Sequence, residues 1–568
     1  MKRLVSLLLA GAMLAAVLTG CNGGNEGQGT QAPDNQTPSS SQGSDKQDET
    51  EAEDGAYMDN GVKVSPAGEM PISADKVELS IFMRQNSTVS DYDDNKMTKW
   101  MEETTNVHVN WNIVPEQDAS QKLNLLLAAG VDLPDIIMSD LSTQTIVEQA
   151  DQGTLIQLDP YIEQFGYYYK KMLEENPLYE PMSKLQDGHV YSLGSVILSE
   201  PNAMSNRMWI NTTFLQNLNM KKPETPEEFY DYLKAVKEQD ANGNGNASDE
   251  VPLTGSAKMW NGLPNTFILN SYVQYDRDNP FYLDNGKVTC AVDKDLYREG
   301  LRYMNKLVKE GLLEPNTYTQ DGDQVKQIFD GEIAQVGALP AGGVFVVTSM
   351  SGDRAKEYEG LAPLKGPGGQ YAWYNPYWGI GPVGASITNA CEHPAVAFKW
   401  LDFLYNQESF MRNRFGEPGV DYLIPEEGQI AIDGGPALYI PVLEWGSVQN
   451  SHWAAAGPQY NPIDNSGVKG DDPYELNQYL WNQTAEFYAP YKRDLDTYFS
   501  TNIFFSVEDA QTVADIKATL SDYMKQAEDQ FIVGTLDIEK DWDQHLKNLE
   551  GMRYQELMDI YQKYLDMQ

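Results

Sequence analysis

From Lys76 onward the chain alternates strand and helix patterns, and this order constrains its fold more than any other feature. Residues 77–83 and 107–113 show the apolar alternation of buried strands, with helically spaced apolar residues between them. A Leu-rich helix over residues 121–129 is followed by a short apolar strand over 134–138. A β-α-β-α-β order is typical of a mainly parallel sheet covered by helices. The predicted fold class is α/β.

A second set of the same patterns follows. It begins with a strand over residues 208–210 and a helix that starts after Thr225, a favourable capping residue before Pro226. From Lys76 to the C-terminus there are roughly 490 residues, more than one hydrophobic core usually supports. We therefore expect two lobes.

The N-terminus has the pattern of an export signal. Lys2 and Arg3 precede an apolar run that is too short to span a bilayer comfortably. The run ends in Leu18-Thr19-Gly20-Cys21, which resembles a bacterial lipobox. By that resemblance residues 1–20 are a signal peptide, and Cys21 receives a diacylglyceryl group that holds the protein at the outer face of a bacterial cell membrane. The alternative is an ordinary signal peptide with an incidental cysteine.

Residues 21–75 have the composition of a tether. Asn, Gly, Gln, Ser, Thr, Pro, Asp and Glu dominate this stretch, and apolar residues are sparse. Such a segment cannot bury enough surface to offset the entropy lost on ordering. We expect a lipidated, disordered tether over these residues.

Several segments together carry a family resemblance. They are "LPDIIMSD", "LIQLDPYI", "LQDGHVYSLG", "MWINTTFLQNLNMKKPETPEEFYDYLKAVKEQDANGNG", "GLRYMNKLVKEGLLEPNT" and "HPAVAFKWLDFLYNQE", in that order. The chain resembles the extracellular solute-binding proteins (family 1) of carbohydrate ABC importers, in a branch of large lipoproteins related to alginate-oligosaccharide binders. The likeness runs from about Val77 to Gln407.

This resemblance implies the type II periplasmic-binding fold, with two α/β lobes, a hinge and a ligand cleft between the lobes. It also implies a monomer that captures a sugar, expected to be an oligosaccharide, by closure of the lobes and passes it to membrane permease subunits without chemistry. The predicted boundaries are lobe 1 over 76–202 plus 383–450, lobe 2 over 212–372 plus 451–568, and hinge crossings near 203–211 and 373–382.

One loop has the pattern of a calcium site. Oxygen-bearing side chains at its first, third and fifth positions, with Gly245 at the sixth, match the first half of an EF-hand loop. Val251 stands at the twelfth position, where an EF-hand has a bidentate Glu. The alternative is a solvated Asn/Gly turn. The candidate ligands of a structural Ca²⁺ are Asp240, Asn242, Asn244, Asn246, Asp249 and Glu250.

Sugar recognition needs flat apolar faces for C–H groups and planar polar groups for hydroxyls. Residues 371–378 hold five aromatic residues beside the second predicted crossing. Polar residues that follow strands are further candidates, because ligands bind at the carboxyl ends of strands in open α/β sheets. The candidate ligand-binding residues are Trp260, Trp373, Tyr374, Asn375, Tyr377, Trp378, Trp445, Trp453, Arg84, Gln85 and Asp140. The alternative for each is a core or solvated-loop role.

Charge and missing motifs exclude several classes of protein. With 84 acidic against 41 basic residues the net charge is −43, which disfavours nucleic acid and anionic lipid surfaces as partners and mildly disfavours long polyanionic ligands. The five His residues lack zinc spacing, and there is no Gly-x-Ser-x-Gly or phosphate loop. We expect no enzyme and no catalytic cofactor. A lipoprotein adhesin or peptide binder on the same fold, and a secreted glycoside hydrolase with a carboxylate pair, stay open as alternatives.

Two cysteines remain beside Cys21. A disulfide between Cys290 and Cys391 is possible, but the sequence cannot assign it. We expect two separate buried thiols.

Overall fold

The computed structural model describes residues 50–51, 57–139, 141–443, 446–463 and 465–567. The predicted signal peptide, Cys21 and most of the predicted tether lie outside the described residues. Among the helices that are described, none combines the length and the apolar character needed to span a membrane.

The first part of the chain alternates strands with helices. Its elements are β1 (Thr50–Glu51), β2 (Tyr57–Asp59), β3 (Val62–Val64), β4 (Val77–Arg84), α1 (Lys96–Thr105), β5 (Val107–Val114), α2 (Glu116–Ala129), β6 (Ile136–Met138), α3 (Thr143–Asp151), α4 (Asp159–Phe165), α5 (Tyr168–Glu175), α6 (Glu180–Ser183), β7 (Leu193–Ile197) and α7 (Glu200–Ala203). Asn95 caps α1, and Gly130 ends α2 in the left-handed conformation that glycine adopts without strain. The predicted β-α-β-α-β order is confirmed.

The second part repeats this alternation. Its elements are β8 (Arg207–Asn211), α8 (Thr212–Asn217), α9 (Pro226–Glu238), β9 (Val251–Leu253), α10 (Asn265–Leu269), β10 (Phe281–Asp284), β11 (Lys287–Cys290), α11 (Asp295–Lys309), α12 (Gly322–Phe329), β12 (Val336–Ala341), α13 (Asp353–Lys356) and β13 (Tyr358–Leu361). Helix α9 begins as predicted, because the Thr225 hydroxyl accepts a hydrogen bond from the Glu228 backbone N–H at 3.2 Å.

The third part returns to strands before it ends in long helices. Its elements are β14 (Ile380–Ile387), α14 (Pro394–Phe403), α15 (Gln407–Phe415), β15 (Tyr422–Leu423), β16 (Ile440–Pro441), β17 (Gln459–Asn461), α16 (Leu476–Phe487), α17 (Val507–Val533), α18 (Trp542–Gly551) and α19 (Tyr554–Leu565).

Lobe 1 is built on a six-stranded sheet in the order β17-β7-β14-β6-β4-β5. Five of its strands run parallel, and β14 is antiparallel to both of its neighbours. Successive side chains of a strand point to opposite faces, so the sheet has a core on each side. Leu79, Ile81 and Met83 belong to one core, and Phe82 belongs to the other.

Lobe 2 is built on a four-stranded sheet in the order β13-β8-β12-β9. Alternation again divides its strands between two cores, with Met208 and Ile210 on one face and Trp209 on the other. Side chains of α17, α18 and α19 complete the first of these cores. The C-terminal helices therefore share a hydrophobic core with lobe 2.

Within the described part of the chain, three segments cross between the lobes. The crossings are residues 198–206 between β7 and β8, 362–379 between β13 and β14, and 462–475 between β17 and α16. The predicted hinge segments 203–211 and 373–382 each overrun into a strand. The assignment of residues 451–461 to lobe 2 is also wrong, because β17 pairs in parallel with β7 in lobe 1.

The folded body also begins earlier than predicted. Strands β2 and β3 form a hairpin that packs on lobe 1, where the Asp59 carboxylate accepts a hydrogen bond from the Val396 N–H at 3.0 Å. The ammonium group of Lys399 donates to the Ser65 carbonyl at 2.6 Å, and burial lowers the pKa of this lysine to about 8. Ile72 is fully buried. The tether prediction is therefore wrong for residues 57–75, whose few apolar side chains are used in this contact.

Candidate functional site

The carboxyl ends of both sheets face the crossings. In lobe 1, two crossings begin at the carboxyl ends of β7 and β17, and the other crossing ends at the start of β14, which is antiparallel to β7. In lobe 2, β12 and β13 are antiparallel to β8, so both end where β8 begins. Loops at the carboxyl ends of strands are where open α/β sheets bind ligands. The topology therefore places candidate binding residues from both lobes near one junction.

A cavity of about 320 Å³ lies at this junction, and we call it the junction cavity. Three stretches line it: the loop of lobe 2 before β10, the second crossing, and the segment between α16 and α17. Four of the predicted ligand residues are in its wall: Trp373, Tyr374, Asn375 and Tyr377. The structure brings this predicted aromatic group together in one place.

Hydrogen bonds fix the orientation of the aromatic wall. The indole N–H of Trp373 donates to the Asp276 carboxylate at 3.0 Å. The Asn375 backbone N–H donates to the Ala203 carbonyl at 2.8 Å, which ties the second crossing to the first. The Tyr374 ring packs edge-on against Tyr498, with centroids 5.6 Å apart. A Cβ at Gly379, where φ is +73°, would lie 2.2 Å from the Ile197 carbonyl oxygen. Only glycine fits where the aromatic segment meets β7.

Two charged groups of the junction cavity, Asp276 and Arg493, are partly desolvated. Burial raises the pKa of Asp276, whose carboxylate also accepts the Asp278 N–H at 2.8 Å. Burial lowers the pKa of Arg493, whose guanidinium lies 3.8 Å from the centre of the Tyr371 ring. Polar groups held in this way can recognise sugar hydroxyls from fixed positions.

A second cavity, of about 330 Å³, lies at the carboxyl end of the lobe 1 sheet, and we call it the lobe 1 cavity. Arg84 and Gln85, two of the predicted ligand residues, line it at the end of β4. The Arg84 guanidinium lies 3.6 Å from the Glu116 carboxylate, and both side chains are largely exposed. Small residues at 454–457 form much of the opposite wall.

Trp260 is presented by lobe 2 after β9. Its side chain is 40% exposed and packs against Phe345, with ring centroids 5.8 Å apart. A Cβ at Gly342 would lie 2.1 Å from the indole, so the Trp260 ring can pack here because residue 342 has no side chain. The neighbouring Asn261 side-chain amide donates to Ser205 of the first crossing at 2.9 Å. Trp260 is therefore an exposed aromatic face held close to the hinge.

The other predicted ligand residues divide into three groups. Trp378 is half-buried immediately after the aromatic wall. Asp140 and Trp445 lie outside the described residues. The prediction for Trp453 is wrong, because this side chain is fully buried in the core of lobe 1 and its indole N–H donates to the Thr98 hydroxyl at 2.9 Å.

Sequence reasoning missed several polar residues of the junction cavity: Gln274, Asp276, Asn279, Arg493 and Tyr498. Each lies in an irregular segment that has no periodic pattern or motif. In sequence, each segment is more than 90 residues away from the other stretches that line the cavity. The signal that could have found them is indirect, since irregular loops beside a predicted crossing often carry function.

The predicted calcium loop is folded around its acidic residues. The Asp240 carboxylate accepts the N–H groups of Asn244 at 3.0 Å and Gly245 at 2.8 Å. The Asp249 carboxylate accepts the side-chain amides of Asn242 at 3.2 Å and Asn244 at 2.8 Å. All six predicted ligands therefore surround one turn.

Among the residues of this loop, Glu250 bears most directly on whether a hard cation would bind there. Its Oε1 accepts the Asn242 N–H at 3.3 Å, whereas its Oε2 is buried without a hydrogen-bond partner. A buried carboxylate oxygen without a partner is costly unless a cation satisfies it. Within the described ranges, no three His, Cys, Asp or Glu side chains cluster as a metal site. The loop instead mixes acids with asparagines, and its oxygens fit Ca²⁺.

Cys290 and Cys391 are both free and buried, which confirms the prediction of two separate thiols. Burial raises the pKa of the Cys290 thiol to about 12, so neither its position nor its chemistry suits a nucleophile.

Comparison with known proteins agrees with this architecture. The family model for bacterial extracellular solute-binding proteins matches residues 86–409. The fructooligosaccharide ABC transporter substrate-binding protein FusA of Streptococcus pneumoniae is 27% identical over 502 residues, which cover 85% of this chain and 89% of that protein.

Solved structures show the same two-lobed fold. FusA in complex with kestose has a TM-score of 0.64 at 24% identity, covering 86% of this chain and 99% of that one. A solute-binding protein from Bifidobacterium longum infantis, described as HMO-binding and associated with an ABC transporter, has a TM-score of 0.69 at 21% identity, covering 87% and 99%. An EF-hand mutant of FusA has also been solved, in complex with fructo-nystose. The predicted periplasmic-binding fold is confirmed.

Proposed function

The chain belongs to the bacterial extracellular solute-binding proteins, and from that premise we propose that it captures an oligosaccharide for an ABC importer. The site is the junction between the lobes, with the aromatic wall of the junction cavity as its principal sugar-binding surface. The single observation that carries the proposal is that Trp373 and Tyr374 line a cavity in the segment that joins the lobes.

The chemistry of this wall suits a sugar. Aromatic rings bury the C–H faces of pyranose or furanose rings, and fixed amides and charged groups pair with hydroxyls. Asn375, Asp276 and Gln274 supply such groups beside the rings. FusA, the relative with 27% identity, is named for fructooligosaccharides and has been solved with kestose, which supports an oligosaccharide here.

Further contacts come from each lobe. Trp260 adds an aromatic face from lobe 2, and Arg84 and Gln85 add polar groups from the lobe 1 cavity. A ligand that touches one lobe first gains the contacts of the other when the lobes rotate together, and each added contact favours the closed form. The closed monomer then docks on the permease subunits. Binding occurs without bond cleavage, in keeping with a family of binding proteins.

The remaining parts of the proposal concern location and metal. Cys21 carries a lipid that anchors the mature protein at the outer face of the membrane, which the apolar run and the lipobox pattern support. Ca²⁺ binds the loop from Asp240 to Glu250 and stiffens the segment between α9 and β9, a structural role supported by the buried Glu250 oxygen. No catalytic cofactor is required.

A calorimetric screen tests this proposal. The purified protein is titrated with neutral and acidic oligosaccharides of two to six sugars and with peptides, and each bound ligand is analysed by mass spectrometry afterwards. We expect saturable binding of at least one oligosaccharide, recovered intact. Shortened product would support the hydrolase alternative, and a response to peptides alone would support the peptide binder. A protein that binds neither sugar nor peptide would favour the adhesin.

A further inference from the structure

Arg493 differs from the other described arginines in what surrounds it. It lines the junction cavity, and its guanidinium donates only one long hydrogen bond, from Nη2 to the Asn270 carbonyl at 3.5 Å. Its Nε is buried without a partner. The flat guanidinium face rests on the Tyr371 ring. A guanidinium supported on an aromatic ring in this way keeps its N–H edges available to a ligand.

Among the described residues, no carboxylate neutralises this charge. Of the two acidic residues that line the junction cavity, Asp276 accepts from Trp373 and from the Asp278 backbone, and Asp278 forms an ion pair with Lys525 at 2.5 Å. Arg493 forms no ion pair with any described carboxylate, whereas Arg277 pairs with both Glu528 and Asp529 on helix α17.

Arg207 provides the contrasting case of a buried arginine without an acidic partner. It is fully buried, and its guanidinium donates to the Gly342 and Pro201 carbonyls and to the Thr484 hydroxyl. Its Nη1 and Nη2 donors are thus used within the protein, as expected of a structural group, although its Nε is buried without a partner as in Arg493. The Arg493 guanidinium, in contrast, makes one long hydrogen bond to a described residue and borders an open cavity. A ligand can therefore enter the cavity and accept its remaining hydrogen bonds.

Other donors and acceptors at the same cavity lack partners as well. The O–H of the buried Tyr498 side chain has no described acceptor, and the Asn279 side-chain oxygen is buried without a hydrogen bond. A planar guanidinium and a phenol O–H together match the two oxygens of a carboxylate, which arginine binds in bidentate fashion. A neutral hydroxyl can accept such hydrogen bonds but cannot offset a partly desolvated positive charge.

Resting on the proposed function, we propose that the junction cavity binds an acidic sugar residue, with the sugar carboxylate on Arg493 and the sugar ring against Trp373. The substrate class is then an oligosaccharide that carries at least one uronic acid. The negative net charge of the chain does not oppose this, because interactions between charges more than about 8 Å apart are largely screened at physiological ionic strength.

Matched ligand pairs test the inference by calorimetry at physiological salt. Each pair is an oligosaccharide bearing galacturonic or glucuronic acid and its methyl ester, which keeps the sugar skeleton and removes the charge. We expect the acid of at least one pair to bind ten-fold or more tightly than its ester. Esters that bind as well as, or better than, the acids in every pair that binds would overturn the inference while leaving the proposed function intact.

Variants locate the effect at Arg493. Arg493→Gln should abolish the difference between acid and ester and weaken the ester less than three-fold, and Arg493→Lys should keep part of the difference. Arg302→Gln removes one positive charge from an exposed ion pair with Glu539 and should leave the acid-to-ester ratio unchanged. An equal loss for acid and ester in Arg493→Gln would contradict the assignment. If Arg493→Gln does not fold, the acid-to-ester affinity ratios of the wild type and of Arg493→Lys still test the assignment. Binding of neither acids nor neutral sugars would instead contradict the proposed function.

Discussion

Two tryptophans of this molecule, Trp373 and Trp453, have opposite environments. In the second crossing, Trp373 stands in the wall of the junction cavity and is held by one hydrogen bond to Asp276. In lobe 1, Trp453 is fully buried, stacked on Trp400 at 6.0 Å and edge-on to Trp111 at 5.2 Å. Both tryptophans lie close to a crossing in the sequence. Their environments differ because of topology. Trp453 precedes β17 and packs in the core of lobe 1, whereas Trp373 lies in a segment between the lobes and borders a cavity.

Truncating the core tryptophan should have the largest effect. Trp453→Ala removes a ring that touches two other tryptophans, and such deletions cost about 3–5 kcal/mol of unfolding free energy. Denaturant unfolding followed by circular dichroism measures this loss. A loss below about 1 kcal/mol would show that the site tolerates a cavity, which contradicts its place in the core.

Truncating the wall tryptophan should show the reverse pattern. Trp373→Ala should lower oligosaccharide affinity by about thirty-fold, since central aromatic contacts contribute about 2 kcal/mol or more. The unfolding free energy should change much less than in Trp453→Ala, because one face of the ring borders a cavity. Trp100→Ala is the matched control, a half-buried tryptophan on α1 that should leave affinity unchanged. Equal affinities of Trp373→Ala and the wild type would remove Trp373 from the site.

Calcium should affect stability and not recognition. At ten times its dissociation constant, a ligand specific for the native state adds about 1.4 kcal/mol. Thermal unfolding with calcium or with a chelator measures this shift, and Glu250→Gln should reduce it. Asp353→Asn, an exposed acid outside the loop, is the control. A calcium shift of equal size in Glu250→Gln would show that the ion binds elsewhere.

The smallest effect is expected in the lobe 1 cavity. Arg84 is about half exposed and already paired with Glu116, and exposed pairs of this kind are worth about 0.2–1 kcal/mol. Arg84→Ala should therefore weaken oligosaccharide binding by less than about six-fold in calorimetry. A loss of affinity larger than that of Trp373→Ala would show that the lobe 1 cavity, and not the junction cavity, is the principal binding site.

The sequence predicted those features that local pattern determines. The strands over residues 77–83 and 107–113, the cap at Thr225 and the aromatic group before β14 all follow from periodicity and residue type. The early hairpin of β2 and β3 escaped prediction because only Val64, Ile72 and a few neighbours pack on lobe 1, too little to stand out from a polar segment.

Features that depend on distant contacts could not be predicted. Strand β17 has three residues and joins lobe 1 only by pairing with β7, so the third crossing has no local signature. The junction cavity likewise unites Asp276, Trp373 and Arg493 from three separate segments. The same limit explains the error at Trp453, whose burial depends on Thr98, Trp111 and Trp400.

A crystal structure of the protein with a bound oligosaccharide would show which surface of the molecule holds the sugar. We expect a sugar ring against the face of Trp373 in the junction cavity, with contacts to residues of both lobes. A sugar bound wholly within one lobe, with Trp373 untouched, would contradict it.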